Sequence, residues 1–330
     1  MKIAMVHQPI GNISPNDPRD SIGIWIRETT RHLAKFCDVV VYANISLNQK
    51  KVEYYEGVKY RRILATPDKL LIRLEKAVDK QLSARRKRPL YASTLYCPTY
   101  AFQLAKELRE EKFDIVHIHN FSQLVPIIRK FNPDIKIILH MHCEWLTQLD
   151  QEMIERRLKE VDLVIGCSNY ITEKIRRRFP QFANRCHTVY NGVNIDKFFS
   201  ANNKSDNKKN GIKRLLFVGR VSPEKGFYTL IEAFKIIIEQ YPKVQLKIIG
   251  SKNPCPIEYI VAVSEDPKVS TLRSFYHGNY LTYIMNRLPS DAANKVSFTG
   301  FIPYEHVINH YHYSDVFIAP SLSDAFPFLF

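Results

Sequence analysis

Glycine is scarce in this chain: there are 11 in 330 residues, against 18 prolines. Neither G-x-x-x-x-G-K-[ST] nor G-x-G-x-x-G occurs, which excludes a Walker phosphate loop and the dinucleotide fingerprint. The six cysteines, Cys37, Cys97, Cys143, Cys167, Cys186 and Cys255, stand singly, with no C-x-x-C among them. They read as reduced, mostly buried thiols of a cytoplasmic protein. No stretch approaches the ~20 apolar residues that span a bilayer. The first ten residues hold too short an apolar run for a secretory signal. The expectation is a cytoplasmic protein, soluble or peripheral on the inner face of the membrane. Acid is short as well: 33 Asp and Glu face 48 Lys and Arg, a net charge of +15. Such a balance calls for an anionic partner: a nucleotide diphosphate, an anionic lipid or an acidic glycan. Nucleic acid is not expected, because no zinc finger, basic zipper or aromatic RNA motif appears.

The length suggests about two domains, and 45% apolar residues can fill their cores. The organising stretch is 213–235, K-R-L-L-F-V-G-R-V-S-P-E-K-G-F-Y-T-L-I-E-A-F-K. Residues 215–218 read as a buried strand. Gly219 ends it, and Ser222 and Pro223 signal a helix start. Leu230, Ile231, Phe234, Ile237 and Ile238 then recur at helical spacing. The loop between Gly219 and Gly226 carries Arg220 and Lys225. Glycine lets backbone approach a ligand, and a helix start offers N–H groups at a positive dipole end. With two cations added, the loop is a seat for a diphosphate. The plain alternative is an ordinary strand-to-helix turn with solvated Arg and Lys.

Before this stretch, 2–7 read as a strand, 9–20 as a polar loop and 21–36 as a helix. That helix has Ile22, Trp25, Ile26, Thr29 and Leu33 on one stripe. A strand over 38–43 follows, and 52–63 read as a hairpin around Glu56-Gly57. In 69–88, Leu71, Leu74, Val78 and Leu82 form an apolar stripe ringed by Lys and Arg. Two readings stay open for it: a basic amphipathic helix on an anionic membrane, or a surface helix packed on the domain. Strands at 114–119, 135–140, 162–166 and 187–190 then alternate with helices at 99–111, 124–130, 153–159 and 168–179, the last N-capped by Ser168. Such alternation argues for a parallel, doubly wound sheet, whose ligands bind at the carboxyl ends of the strands. H-x-H occurs twice, at His117/His119 and His140/His142. Residues i and i+2 share a strand face, but no carboxylate or cysteine completes a tetrahedral set, so no metal is expected. A capped loop histidine is the plain reading of each strand-end histidine.

Asn191-Gly192 reads as a turn with positive φ, and the polar stretch after 199 as a linker. The second domain should begin near 212, with strands at 244–250, 295–299 and 315–319 and a helix over 304–313. Residues 251–290 read as irregular, with one helix near 280–288.

These stretches together resemble the large retaining glycosyltransferase family four. Its donor loop, G-R-(four residues)-K-G, is matched by Gly219, Arg220, Lys225 and Gly226. In the family the Arg and Lys hold the diphosphate of a nucleotide sugar. H-M-H-C-E-W resembles a strand-end histidine segment that faces the donor sugar; His142 matches best, with His119 and His140 beside it. N-G-V-N-I-D-K-F resembles the family's N-G-V-D-x-x-x-F, with Asn194 for the usual Asp; this places Asn191, Gly192 and Asn194 on the cleft. G-F-I-P resembles the loop that presents backbone, here at Ile302, to the base. P-S-L-S-D-A-F-P, with Ser321 and Ser323, resembles the loop carrying the first of two glutamates separated by seven residues, and Asp324 stands in its place. The second would fall at position 332, so a C-terminally truncated second domain is expected. The family's Gly-Gly pair after the first strand is missing, and only Gly11 and Gly23 stand there.

The resemblance implies an α/β fold of GT-B type: two Rossmann-like, doubly wound parallel-sheet domains facing a cleft. The acceptor-side domain would be 1–195, the linker 196–211 and the nucleotide-sugar domain 212–330. It implies a hexosyltransferase that moves sugar, with retention, from a nucleotide sugar to a glycan, lipid or other acceptor, as in cell-surface polysaccharide biosynthesis. His142 and Asp324 would be catalytic, with no metal and no other cofactor. The alternatives are an inactive nucleotide- or carbohydrate-binding remnant, a GT-B epimerase and a phosphorylase.

Overall fold

A computed structural model describes residues 1–9, 11, 13–16, 18–46, 49–64, 68, 87–199 and 211–325. The chain forms two compact units, Met1–Asn191 and Gly192–Phe330. The first is built on a sheet of eight strands: β1 (Lys2–Val6), β2 (Asp38–Asn44), β3 (Val52–Tyr55), β4 (Val58–Ile63), β5 (Ile115–His119), β6 (Lys136–Met141), β7 (Leu163–Gly166) and β8 (Cys186–Thr188). Their order is β3-β4-β2-β1-β5-β6-β7-β8. All neighbours are parallel except β3 and β4, a hairpin turned at Glu56 and Gly57, both with positive φ. Central strands of a parallel sheet are covered on both faces, and accordingly Ala4, Met5, Val6 and the run from Val39 to Ala43 are buried.

Helices α1 (Ser21–Leu33), α2 (Pro98–Glu110), α3 (Val125–Phe131), α4 (Gln151–Leu158) and α5 (Asn169–Arg178) connect the strands. Their starts are chemically marked. Asp20 accepts the Gly23 amide at 2.8 Å, Asp150 accepts that of Met153 at 2.9 Å, and Ser168 caps α5 through Ile171. The strand order reverses between β1 and β5. The loops leaving those two strands therefore diverge and open a crevice at their carboxyl ends.

The second unit repeats the plan on a smaller scale. Strands β9 (Lys213–Val218), β10 (Val244–Ile249), β11 (Val296–Gly300) and β12 (Val316–Phe317) form a parallel sheet in the order β11-β10-β9-β12. Helix α6 (Phe227–Gln240) buries Phe227, Leu230, Ile231 and Phe234 against Phe217, Leu246 and Ile248. Tyr280 and Ile284 of α7 (Tyr280–Met285) join that core, and α8 (Tyr304–Tyr313) leads to β12. The reversal here lies between β9 and β12.

Several expectations are corrected. The helix expected from Ser222-Pro223 begins only at Phe227: Pro223–Lys225 is a tight 3-10 turn, and Gly226, at φ +69°, cannot continue into a helix. The strand expected over 315–319 is two residues long, Val316–Phe317, and among the described residues it pairs with β9. Residues 251–290 are more ordered than their composition suggests; Val261, Val269 and Leu272 bury together as a separate small cluster. The first residues of the expected linker are helical. The units divide after Asn191, and Ile195–Phe199 is a helix. Neither Asn191 nor Gly192 has positive φ, since the segment runs on between units and closes no hairpin. The basic segment 69–88 lies outside the described residues except for Lys87 and Arg88, as do Phe326 to Phe330. Among the described residues, no helix is long and apolar enough to cross a membrane.

Candidate functional site

In the second unit, the loops leaving β9 and β12 meet at the point of strand reversal. Gly219 closes β9 by donating to the Ile249 carbonyl at 2.8 Å. The chain then turns through Arg220 to the 3-10 segment, which drives Glu224 inward until its side chain is fully buried. Three groups meet that carboxylate: Ser222 Oγ donates at 2.6 Å, Tyr276 OH donates at 3.0 Å, and Arg220 Nη2 lies at 3.4 Å. The Glu224 carbonyl accepts the Leu322 amide at 2.9 Å and the Ser323 amide at 3.3 Å. One residue therefore ties the 219–226 loop to the 320–324 loop through both its side chain and its backbone.

Gly226 is required at this junction. Besides its left-handed φ, a Cβ there would stand 2.0 Å from the Pro320 carbonyl oxygen. The close approach brings Lys225 Nζ to 2.6 Å from Asp324 Oδ2, with both side chains about one-fifth exposed. A cation and a carboxylate thus sit side by side where the two loops meet. Half-buried Ser321 and Ser323 flank Asp324 in the same loop. Ile302 lies in the loop after β11, whose last residue, Gly300, accepts the Gly250 amide at 2.9 Å. Of the residues expected here, the fold joins Gly219, Arg220, Lys225, Gly226, Ser321, Ser323 and Asp324. Burial pushes the Tyr276 hydroxyl well above the usual phenol value, and the Glu224 charge adds to the shift. Tyr276 therefore stays a donor.

In the first unit, the strands beside the reversal carry four histidines. His117 and His119 share one face of β5, and His119 is the register partner of His140 on β6. His142 follows just past the end of β6. His117 Nε2 lies 3.2 Å from His140 Nδ1, and His119 Nδ1 lies 3.0 Å from His142 Nε2. Trp25 of α1 packs edge-on against all four rings, with centroid distances of 4.8 to 5.8 Å. Burial pushes His117 down to about 4 and His142 to about 3, and holds His119 and His140 well below the usual imidazole value. All four rings are neutral near pH 7.

Asn120 fixes the end of this cluster. It adopts φ +60°, a conformation Asn tolerates better than most residues. From there its amide donates to the His140 carbonyl at 2.9 Å, and its side-chain oxygen accepts the His142 amide at 2.6 Å. At the end of β1, buried His7 meets Asp20 at 3.2 Å. Burial opposes ionisation of Asp20, but His7 and the amides of Gly23 and Ile22 outweigh it and hold the carboxyl below its usual range.

Sequence reasoning passed over Asn120, Glu224, Tyr276 and the place of Trp25. Glu224 stands among the unspecified residues of the donor-loop pattern, and Tyr276 is remote in sequence. Asn191, Gly192 and Asn194 lie at the boundary of the units, with Gly192 exposed.

Two α/β units, each with a parallel sheet reversed in order at its ligand end, define a GT-B fold. Solved structures agree. Sucrose-phosphate synthase from Thermosynechococcus elongatus superposes with a TM-score of 0.64 at 17% identity, over 99% of this chain and 77% of that one. Trehalose-6-phosphate from E. coli, bound with UDP-2-fluoro glucose, gives 0.67 at 13% identity, over 98% and 79%. At these identities the likeness carries the fold alone. The chain belongs to Glycosyltransferase Family 4: that family model matches residues 22–197, and the model for glycosyl transferases group 1 matches 198–329. Among curated relatives, "Putative glycosyltransferase YtcC" of Bacillus subtilis is 30% identical over 67% of this chain and 53% of its own length. Spore coat protein SA of the same organism is 29% identical over 67% and 57%. Lipopolysaccharide 1,2-N-acetylglucosaminetransferase of Salmonella typhimurium is 25% identical over 63% and 48%. The chain spans about half the length of these relatives.

Proposed function

We propose that this protein is a retaining hexosyltransferase that uses a nucleotide-diphosphate sugar and glycosylates a glycan or lipid-linked acceptor in cell-surface polysaccharide assembly. The observation that carries the reading is the juxtaposition of Lys225 and Asp324 at 2.6 Å across the strand reversal of the second unit. Leaving-group charge develops on the diphosphate as the glycosidic bond breaks, and preorganised donors lower that barrier. Arg220 and Lys225 supply two cations, and the amides at the start of α6 add the dipole of a helix N-terminus. Gly219 and Gly226 keep the loop open to close approach. Asp324 accepts sugar hydroxyls, with Ser321 and Ser323 beside it, and Ile302 lends backbone to the base. In the first unit, His142 is the residue assigned to the transferred sugar, oriented by His119 and Asn120. No step in this scheme calls for a metal or another cofactor.

The acceptor name of the Salmonella relative, a lipopolysaccharide, supports the surface-glycan part of the reading. Residues 69–88 are assigned a role at the anionic inner face of the membrane, for which their run of Lys and Arg is the support. The function is tested by incubating the protein with a mixture of nucleotide sugars and membrane-derived acceptors and measuring nucleoside diphosphate release. Release that falls at least ~10-fold in Lys225→Ala and Arg220→Ala supports it, each lost contact being a charge-assisted hydrogen bond to phosphate. Release that is unchanged in both variants rejects it.

A further inference from the structure

Two H-x-H pairs that are 21 residues apart between His119 and His140 in sequence become one cluster because β5 and β6 pair with those two residues in register. His119 and His140 are fully buried and His117 nearly so. One ligating nitrogen from each lies within 4.8 Å of the others. The His117 Nε2 to His140 Nδ1 distance, 3.2 Å, is the separation of two ligands on a shared ion. At zinc–nitrogen distances of about 2.0–2.1 Å the pair would subtend about 100°, close to tetrahedral. His119 supplies the third nitrogen, which an ion would draw in from the 4.8 Å spread of the three, and its Nε2 is a buried atom without a hydrogen-bond partner. Its other nitrogen, Nδ1, lies 3.0 Å from His142 Nε2. A ligating histidine ordinarily donates its second N–H to an outer partner, and His142 stands in that place.

We propose that His117, His119 and His140 form a binding site for one divalent cation of the zinc class, with His142 as the outer acceptor that orients His119. The donor set is three neutral imidazoles without carboxylate. That set selects Zn²⁺, Co²⁺, Ni²⁺ or Cu²⁺ over Mg²⁺ or Ca²⁺. Simple pairing of the rings, His117 with His140 and His119 with His142, is the competing arrangement. It leaves His119 Nε2, His140 Nε2 and His142 Nδ1 buried without partners. Coordination uses the first of these. The site lies wholly in the first unit, and the inference does not rest on the transfer activity.

The test uses the full chain without an affinity tag, stripped by chelator and titrated with Co²⁺ and then Zn²⁺. The expected result is one equivalent of Co²⁺ with the visible absorption of a low-coordinate imidazole site, displaced by Zn²⁺, together with quenching of Trp25 emission. His140→Gln and His117→Gln should weaken binding by more than the about 10–100-fold expected of an outer-shell change, which His142→Gln should show. His310→Gln, in the second unit, should leave binding intact. Trp25→Phe should keep the Co²⁺ spectrum and lose most of the quenching, which locates the ion even if a ligand variant fails to fold. No Co²⁺ spectrum and no Zn²⁺-dependent rise in Tm in the wild type would overturn the proposal. So would full binding in both His117→Gln and His140→Gln, or quenching of undiminished depth in Trp25→Phe, where Trp145 is the tryptophan left.

Discussion

Glu224 has no access to water, so every charge-stabilising contact it has comes from the protein. Ser222 and Tyr276 donate to it, and Arg220 lies against it. Replacing it by Gln keeps the shape but sets an NH2 group against one of the two hydroxyl donors. A buried donor left unsatisfied costs about 1–3 kcal/mol, so Glu224→Gln should lower stability by about that amount in a urea titration, and Tyr276→Phe by less. A different residue-scale effect comes from the four imidazoles. Unfolded, they titrate near the ordinary value of about 6.5. Folded, burial holds them lower, His117 at about 4 and His142 at about 3. Below about pH 6.5 the unfolded chain therefore binds more protons, and stability falls as the pH falls toward these folded values. In chelator-treated protein, His117 alone should remove about 2 kcal/mol between about pH 7 and pH 5. Denaturant midpoints across that range check the slope, and a flat profile would contradict the burial of the cluster.

The strand-to-loop-to-helix element at 213–240 depends on a single backbone position. Gly226→Ala meets both a left-handed φ and the Pro320 carbonyl at 2.0 Å. It should cost at least about 2 kcal/mol, since the left-handed conformation alone costs about 1–2 kcal/mol with a Cβ. Gly278→Ala, also at positive φ but with open space around it, should lose only the conformational part. Thermal unfolding of the two variants side by side makes the comparison. This element also marks the limit of what the sequence tells. Its apolar spacing announced β9 and α6, and its two glycines announced the loop. The helix start was misplaced because Ser222-Pro223 is a good local signal, while the close contact with Pro320 arises 94 positions later in the chain. The alternating strands and helices of 114–188 were legible for the same reason as β9: parallel strands are buried runs bounded by caps. The pairing order was not legible. Nothing local in H-I-H or H-M-H says that β5 and β6 are neighbours in register, so four histidines read as two separate pairs. Glu224 and Tyr276 escaped in the same way, since their contact is made 52 positions apart.

At the scale of the molecule, the net charge of +15 calls for anionic surroundings. A groove of about 1020 Å³ in the first unit is bordered by Arg88, Arg129, Lys130, Arg156, Arg157 and Glu160. Arg88 and Arg156 keep much of their side chains exposed. Sedimentation with anionic liposomes should be strong at low salt and weaken toward 0.15 M, where the Debye length is ≈ 8 Å. Replacing Arg85, Arg86, Lys87 and Arg88 by Gln should reduce it. If the wild-type chain does not sediment at low salt, the anionic-surface role is wrong.

Under the proposed function, the Lys225–Asp324 pair carries a consequence for the end of the catalytic cycle. Without a donor, the phosphate cation already holds an internal counter-ion, so donor entry is an exchange of anions rather than the filling of a bare charge. After transfer in that scheme, the same carboxylate, released from the departed sugar, would compete with the spent nucleoside diphosphate for Lys225 and hasten its departure. Asp324→Asn removes the competitor. Product should then bind more tightly, by about 2–5-fold given the roughly 0.2–1 kcal/mol typical of a partly exposed pair, while the intact sugar donor binds less well. Parallel calorimetric titrations with nucleoside diphosphate and with nucleotide sugar read the two opposite signs. A loss of affinity for both would mean that Asp324 only holds the loop in place, and that turnover is not limited by this internal competition.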